Sequence, residues 1–233
     1  VFEAIAGHRP DGVLARNLAA LAFFTGEGIP VVADFSLNAA NELTVAWLHD
    51  RGAARVTASY DLRRSQLFDL VAAVPPEWLE VVVHLHVPMF HTEYCLWCAH
   101  VARSPRDREN FVSERRDHLS AGTSRTDCGR PCRRHSLRLK DRKGAEHVAA
   151  DDGLCRTTVY HAVAQSAAES VPLLLERGVR HFRIELLPDQ TGPEIPRILE
   201  IYSALMACRV SGQEAWRCLQ TVCPAGITRG TLR

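Results

Sequence analysis

Short apolar runs alternate with amphipathic stretches along most of the chain. The apolar runs predict strands at 12–16, 30–35, 55–60, 80–87 and 181–187. Helical periodicity, closed at several ends by glycine or proline, predicts helices at 17–27, 44–51, 63–73, 157–177 and 194–207. Because the strand segments are continuously apolar, we expect both faces of each strand to be buried, which favours a parallel sheet covered by helices.

This alternation predicts the α/β fold class. Residues 90–156 interrupt it with an irregular, cysteine-rich segment, in which residues 136–148 alternate polar and apolar positions around a turn and predict a β-hairpin. A complete eight-fold barrel takes about 250 residues, so the remaining chain favours a partial TIM-like (β/α) barrel over a doubly wound open sheet. The predicted divisions are the first βα units of a truncated barrel at 1–90, a cysteine-rich excursion with a basic insertion at 91–156, the last βα units at 157–207 and a tail at 208–233.

Composition places the chain among globular proteins, because 46% of its residues are hydrophobic, 24% are charged and its formal net charge is +1. Disordered, collagen-like and coiled-coil classes are excluded as its main description. No apolar stretch approaches the roughly 18 residues that span a bilayer, and no signal peptide opens the sequence. We therefore expect a protein of the reducing cytoplasm.

Positive charge is concentrated in residues 100–143, which contain thirteen Lys and Arg against six Asp and Glu. A basic segment on a nearly neutral protein is able to contact nucleic-acid phosphates. A solvated insertion accounts for the same charges, because runs of charge are commonly exposed loops. RNA is therefore one expected partner of this segment, and a solvated loop is the alternative.

Five cysteines belong to the irregular segment. Cys95 and Cys98 form a C-x2-C pair, Cys128 and Cys132 form a C-x3-C pair, and Cys155 follows them. In a reducing compartment, clustered thiols are more often metal ligands than disulfides. Four thiolates are the ligand set of an iron–sulfur cluster and also of a structural zinc ion. Thiols without a metal are the third alternative, and the three cysteines after residue 207 are not expected to be ligands.

Polar side chains at the predicted strand ends are candidates for catalysis and substrate binding, because βα loops build the active sites of barrels there. His84 and His86 fall on one face of the predicted strand. They are candidate catalytic residues, as metal ligands or as proton carriers. Two histidines that only form hydrogen bonds in the barrel mouth are the alternative.

Arg183 and Glu185 share one face of the last clear strand. A guanidinium and a carboxylate on a buried strand need partners, so they form either an anchor for a ligand or a structural ion pair. Glu185 joins the catalytic candidates. The predicted substrate-binding residues are Arg16, Asn38, Tyr60 and Arg183.

The sequence contains no G-x-S-x-G, H-E-x-x-H or P-loop motif. A protease needs an activated nucleophile or a hydrolytic metal, and no known arrangement of either is evident. The residue pattern by itself therefore gives no support to proteolysis.

Several motifs nevertheless resemble those of one family. They are DGVLARNL at 11–18, ADFSLN at 33–38, PMFHTEYC at 88–95, DCGRPC at 127–132 and HFRIE at 181–185. In this order they resemble the collagenase-like peptidases of family U32, over roughly residues 11–207. The resemblance implies a TIM-like barrel whose first strands lie upstream of Val1.

The resemblance also implies a 4Fe–4S cluster that is held by four cysteines. Matched residue by residue, its ligands are Cys95, Cys98, Cys128 and Cys155, with Cys132 as the alternative fourth ligand. Zinc stays the alternative metal.

Proteins similar to this chain include prephenate-dependent factors for the hydroxylation of tRNA and ribosomal RNA, and oxygen-independent ubiquinone hydroxylation proteins. Others carry the peptidase label. The resemblance therefore implies an iron–sulfur barrel enzyme that hydroxylates RNA bases, with RNA on the basic segment at 100–143 and a small carboxylate as co-substrate. A peptidase and a zinc-stabilised, non-catalytic binding module are the alternatives.

Overall fold

The computed structural model describes residues 1–101, 130–187, 190 and 192–233. The chain divides into two compact units. The first unit comprises Val1–Leu85, Ala164–Leu186 and Gly192–Arg233, and the second comprises His86–Val163 and Leu187–Thr191. Among the described residues, no helix is both long enough and apolar enough to cross a membrane.

Short strands and helices alternate through the chain. The strands are β1 (Val13–Ala15), β2 (Val31–Ala33), β3 (Ala53–Thr57), β4 (Leu79–Leu85), β5 (Pro88–Thr92), β6 (Leu137–Lys140), β7 (Glu146–Asp151), β8 (Thr157–Tyr160), β9 (Ala164–Ser166), β10 (His181–Ile184) and β11 (Ile227–Thr228). The α-helices are α1 (Phe2–Gly7), α2 (Leu18–Gly26), α3 (Glu42–Asp50), α4 (Arg64–Ala73), α5 (Leu96–His100), α6 (Val171–Glu176), α7 (Glu194–Met206) and α8 (Gly212–Val222).

The first unit is built on a mainly parallel sheet. Strands β1, β2, β3 and β4 pair in that order, all of them parallel. Strand β10 pairs parallel with β4, β9 pairs antiparallel with β4, and β11 pairs parallel with β9. In the described part of the chain this order ends at β1 and at β11, which are not paired with each other, so the sheet is open. The predicted α/β class with a parallel sheet is confirmed, and the partial TIM-like barrel stays a prediction.

One apolar core lies between this sheet and its helices. Buried strand residues meet buried helix residues there, among them Val31, Val56, Leu79, Val83, Leu48, Leu70, Leu174 and Ile198. The segment after residue 206 joins the same core through α8 and β11, which contribute Ala215, Leu219 and Ile227. The region expected to be a tail is thus an integral part of the first unit.

Local signals fix where several of these helices begin and end. Asn17 and Asn41 cap α2 and α3, since their side chains accept hydrogen bonds from backbone nitrogens at 2.8 and 2.9 Å. Gly52 and Gly178 follow α3 and α6 with φ angles of +93° and +91°, the left-handed conformation that favours glycine after a helix. These glycines confirm the predicted helix ends.

The second unit contains an antiparallel sheet in the order β5, β8, β7, β6. Strands β6 and β7 form the predicted hairpin, with Leu137 opposite Ala149. Its turn is stabilised by Asp141, whose Oδ1 accepts hydrogen bonds from the backbone nitrogens of Lys143 and Ala145 at 2.8 and 2.9 Å. The hairpin prediction is therefore confirmed.

The long helix predicted at 157–177 is wrong. This stretch forms β8 and β9, and only Val171–Glu176 is helical. The segment Thr157-Thr158-Val159 carries three β-branched side chains, which favour a pleated strand over a helix. Strand β9 pairs with the end of β4 through His84 and Ser166, so sheet pairing overrides the weak helical pattern of this region.

Candidate functional site

Four of the five cysteines predicted as ligands lie in one small apolar cluster of the second unit. Cys95 and Cys98 are buried, each with 2% of its surface exposed, and Cys132 and Cys155 are partly buried against them and their neighbours. Cys128 lies outside the described residues. The structure therefore gathers thiols that are up to sixty residues apart in the sequence.

Helix α5 and a short 3-10 turn position three of these thiols. Cys95 immediately precedes α5 and Cys98 lies in its first turn, a spacing that places two side chains on one side of a helix. Cys132 lies in the 3-10 turn Pro131–Arg133. The indole nitrogen of Trp97 donates a hydrogen bond to the carbonyl of His135 at 2.7 Å, which holds α5 against the end of that turn.

Strand β8 brings the fourth thiol to the same cluster. Cys155 precedes the strand and has a φ angle of +63°. The fully buried hydroxyl of Thr157 donates to the carbonyl of Tyr94 at 2.9 Å and accepts from the backbone nitrogen of Leu96 at 3.3 Å. This hydroxyl therefore joins the start of β8 to the residues on either side of Cys95.

The donor set suits a soft metal centre, because thiolates in an apolar setting are the ligands of iron–sulfur clusters and of structural zinc. No group of three or more His, Cys, Asp or Glu side chains in the described ranges is arranged tightly enough to hold a metal ion. The four described cysteines agree with an iron–sulfur cluster or zinc in ligand type and in their shared apolar setting, and the metal itself stays a prediction.

A second constellation, in the first unit, centres on the guanidinium of Arg183. It contacts Asp34 Oδ1 at 2.6 Å, Glu80 Oε1 at 3.0 Å and Glu185 Oε1 at 3.1 Å. The other oxygen of Asp34 accepts from Arg16 Nε at 2.8 Å. These five side chains are called the charged network below.

The sheet topology explains why the charged network forms. Arg16 follows β1 and Asp34 follows β2, and the carboxyl ends of neighbouring parallel strands meet at one edge of a sheet. Glu80 and Arg183 lie on paired strands, with Arg183 in register with the residue two positions after Glu80. Their neighbours Val81 and Phe182 pack in the apolar core, so the charged side chains occupy the opposite face of the sheet.

The charged network contains one more carboxylate than guanidinium. Asp34 is fully buried, whereas Arg16 has 63% of its side chain exposed. Burial raises the pKa of Glu185, and the charges of Asp34 and Glu80 raise it further against the opposing effect of the two arginines. Burial therefore favours the protonated form of Glu185.

The two predicted catalytic histidines belong to different compact units. His84 is fully buried in β4, and its Nδ1 lies 3.4 Å from the Tyr202 hydroxyl. Strand β4 ends at Leu85, so His86 is the first residue after the strand that contains His84. His86 belongs to the second unit, where its Nδ1 lies 2.8 Å from the carbonyl of His161.

The remaining predicted substrate-binding residues lie near Arg16. The Arg16 guanidinium is 5.6 Å from the centre of the Phe35 ring, and that ring lies 4.5 Å from the ring of Tyr60. Asn38 immediately follows a second 3-10 turn, Phe35–Leu37, and the φ angle of Asn38 is +53°. The carbonyl of Tyr60 accepts a hydrogen bond from the Thr231 hydroxyl at 2.7 Å.

Sequence reasoning does not single out Glu80 or Thr157. Glu80 is one acidic residue at the start of a valine-rich strand. The only indication of its role is that a buried strand seldom carries an unpaired charge. Thr157 has no motif of its own, since its two partners lie more than sixty positions earlier. Both positions become visible only when the strand order is known.

Comparison with known proteins gives one match. A sequence model of peptidase family U32 matches residues 1–206. The matched range includes the five cysteines of the irregular segment and all members of the charged network. Neither the curated proteins nor the solved structures gave a match.

Proposed function

Because the chain belongs to peptidase family U32, we propose that it is an iron–sulfur enzyme of this family that takes part in the hydroxylation of RNA bases. The observation that carries the proposal is the gathering of four cysteines from three separate segments in one apolar cluster, with Cys95 and Cys98 buried and Cys132 and Cys155 partly buried. Clustered thiols are a typical ligand set for a soft metal, and the burial of Cys95 and Cys98 disfavours their use as reactive groups. The reducing cytoplasm is the compartment in which we expect them to function.

Cys95, Cys98 and Cys155 are three of the proposed ligands, and Cys128 is the fourth, with Cys132 as its alternative. A 4Fe–4S cluster at these thiolates would supply one-electron transfer. The side chains of Trp97 and its apolar neighbours bury Cys95 and Cys98, and exclusion of water is one of the factors that tune such a centre.

The charged network is the proposed substrate site of the first unit. Arg183 forms ion pairs with three carboxylates, so we expect Arg183 to orient these carboxylates. Arg16 uses its Nε for Asp34 and is largely exposed, so its terminal nitrogens are suited to bind the carboxylate of a small co-substrate. The paired rings of Phe35 and Tyr60 offer an adjoining apolar surface.

Glu185 is the acid–base group we favour, because it is partly exposed beside Arg183 and burial raises its pKa above the ordinary value. His84 is fully buried, which favours a positioning role for that ring, and a catalytic role for His86 stays a prediction. Asn38 is proposed to hold the loop that presents Phe35. A partial TIM-like barrel is the proposed scaffold, supported by the parallel order from β1 to β4 and β10.

The decisive experiment measures iron, acid-labile sulfide and zinc in protein purified without oxygen. We expect about four iron and four sulfide per chain, with the visible absorption of a cluster. Cys98→Ser should lose the iron, whereas Cys218→Ser should retain it, because Cys218 is an exposed thiol on α8 outside the apolar cluster. Zinc without iron would overturn the proposal in favour of the zinc-stabilised binding module.

The reaction is tested separately, by mass spectrometry of tRNA and ribosomal RNA from cells that lack the gene. We expect a hydroxylated base to disappear and to return with the wild-type gene or with Cys218→Ser, but not with Cys98→Ser. An unchanged set of hydroxylated bases would reject RNA hydroxylation. Cleavage of gelatin by the pure protein, unaffected by Cys98→Ser, would instead favour the peptidase activity that the family name suggests.

A further inference from the structure

An open cavity of about 270 Å³ lies in the second unit beside Cys132. One wall is formed by residues 132–136, which begin inside the 3-10 turn Pro131–Arg133 and continue past it, and the other by residues 148–151 of β7. The ring of Trp97 completes the lining. The cavity is therefore bounded by one of the candidate metal ligands, by the residues that lead from the 3-10 turn toward β6, and by β7.

The lining of this cavity is positively charged. Arg133 and Arg134 are consecutive on its first wall, next to His135 and Ser136. Asp151 is the acidic member, and its Oδ1 accepts a hydrogen bond from the backbone nitrogen of Gly153 at 2.9 Å. The balance of formal charge among the lining residues is thus positive even with His135 neutral, which favours an anionic ligand.

The wall that carries the two arginines is anchored. Pro131, at the start of the 3-10 turn, is buried, and the carbonyl of His135 accepts the hydrogen bond from Trp97 Nε1. The backbone on both sides of Arg133 and Arg134 is thereby tied to the interior of the unit. A fixed backbone lowers the entropy cost of holding two guanidiniums around one anion.

We infer that this cavity is a binding site for the phosphate group of a nucleotide. Guanidinium groups match phosphate oxygens with paired hydrogen bonds, and a serine hydroxyl on the same wall is a further donor. Ligand pockets commonly measure about 300–1,000 Å³, so this cavity suits a group no larger than a mononucleotide. The inference deepens the proposed function, because a phosphate bound here would lie beside Cys132. It rests on that function for one point alone, which is that the nucleotide belongs to RNA.

Calorimetric titration of the full chain, kept anaerobic, tests the inference with four probes. They are uridine 5′-monophosphate, inorganic phosphate, uridine and a short single-stranded RNA. We expect the monophosphate to bind and uridine not to bind. The double variant Arg133→Gln, Arg134→Gln should weaken the monophosphate at least about tenfold, since two charge-assisted contacts are lost.

The matched control is Arg142→Gln, because Arg142 is an exposed arginine of the same unit that does not line the cavity. Its affinity for the monophosphate should equal that of the wild type. In the RNA arm, loss of two phosphate contacts should reduce the slope of log affinity against log salt by about 1.4. Circular dichroism and thermal unfolding of each variant check that the fold is retained.

The outcomes separate this inference from the proposed function. Arginine-dependent binding of the monophosphate supports a small nucleotide as the source of the phosphate, and arginine-dependent binding of RNA alone supports the polymer. Equal weakening by Arg142→Gln, or no binding of any phosphate probe, overturns the inference. If the protein contains no iron but still binds the monophosphate through these arginines, the iron–sulfur proposal is rejected and the phosphate site is supported.

Discussion

Arg183 and Asp34 are 149 positions apart in the sequence, yet the Arg183 guanidinium lies 2.6 Å from Asp34 Oδ1. The aspartate is fully buried and binds a second guanidinium, that of Arg16, through its other oxygen. One carboxylate therefore joins the residue after β2 to the ends of β1 and β10. The stability of the first unit and the geometry of the proposed substrate site depend on this contact.

Asp34→Asn should destabilise the first unit strongly. The change removes the negative charge from between two guanidiniums, and breaking a buried ion pair from one side costs about 3–5 kcal/mol. Urea unfolding followed by circular dichroism measures the effect. Asp69→Asn is the control, because Asp69 is exposed on α4, and its effect should stay within about 0.5 kcal/mol. Equal unfolding midpoints for the two variants would show that the contact contributes nothing to stability.

Glu185 should make the folded protein less stable as the pH rises. Its pKa is raised above the ordinary 4.5 by burial and by Asp34 and Glu80, so the folded state keeps a proton that the unfolded state has released. Stability is therefore full below pH 4.5, falls as the pH rises toward the raised pKa, and is constant above it. Glu185→Gln should lack this component. Unfolding free energies of both proteins across this pH range give the comparison, and parallel curves would contradict it.

Thr157→Val should loosen the cysteine cluster. The valine has a similar shape but leaves the Tyr94 carbonyl and the Leu96 nitrogen without the hydroxyl that now joins them. We expect a loss of about 1–3 kcal/mol and a lower iron content after anaerobic purification. Thr158→Val, one position along the same strand, is the control, because the Thr158 hydroxyl is paired with His91 at an exposed site. Identical iron contents would mean that Thr157 has no part in placing the thiols.

Gly178→Ala should destabilise the protein, whereas Gly26→Ala should not. Gly178 has a φ angle of +91°, and an added Cβ would lie 3.1 Å from the Pro76 ring. We expect a cost of about 1 kcal/mol or more. Gly26 ends α2 without a positive φ and with open space around it, so alanine there should be neutral or stabilising. Thermal unfolding of the two variants is the measurement, and a shared melting temperature would refute the strain at Gly178.

Local chemistry accounts for the parts of the fold that the sequence predicts well. The glycines after α3 and α6 and the turn around Asp141 act over a few residues, so their effect is visible without knowledge of the rest of the chain. The cysteine set is also visible, because its residue type and spacing are unusual. Strand β9 was not predicted, since its three residues form a strand by pairing with β4 and β11, which are distant in the sequence.

The charged network illustrates what sequence reasoning cannot supply. Arg16, Arg183 and Glu185 are recognisable as polar residues at strand ends, but their pairing depends on which strands are neighbours. The order of the sheet places Glu80 beside Arg183 and makes it a member. The end of β4 at Leu85, between His84 and His86, was likewise not visible in the sequence.

The segment after residue 206 has a practical consequence for work with this protein. The family match stops at that position, but α8 begins soon afterwards with a capping box between Ser211 and Glu214, and its Leu219 is fully buried. A polypeptide shortened to the homologous region would expose the surface that this helix covers, and aggregation during expression would follow. The limits of evolutionary similarity are thus not the limits of the folding unit, and recombinant preparations should extend through Leu232, which is itself buried.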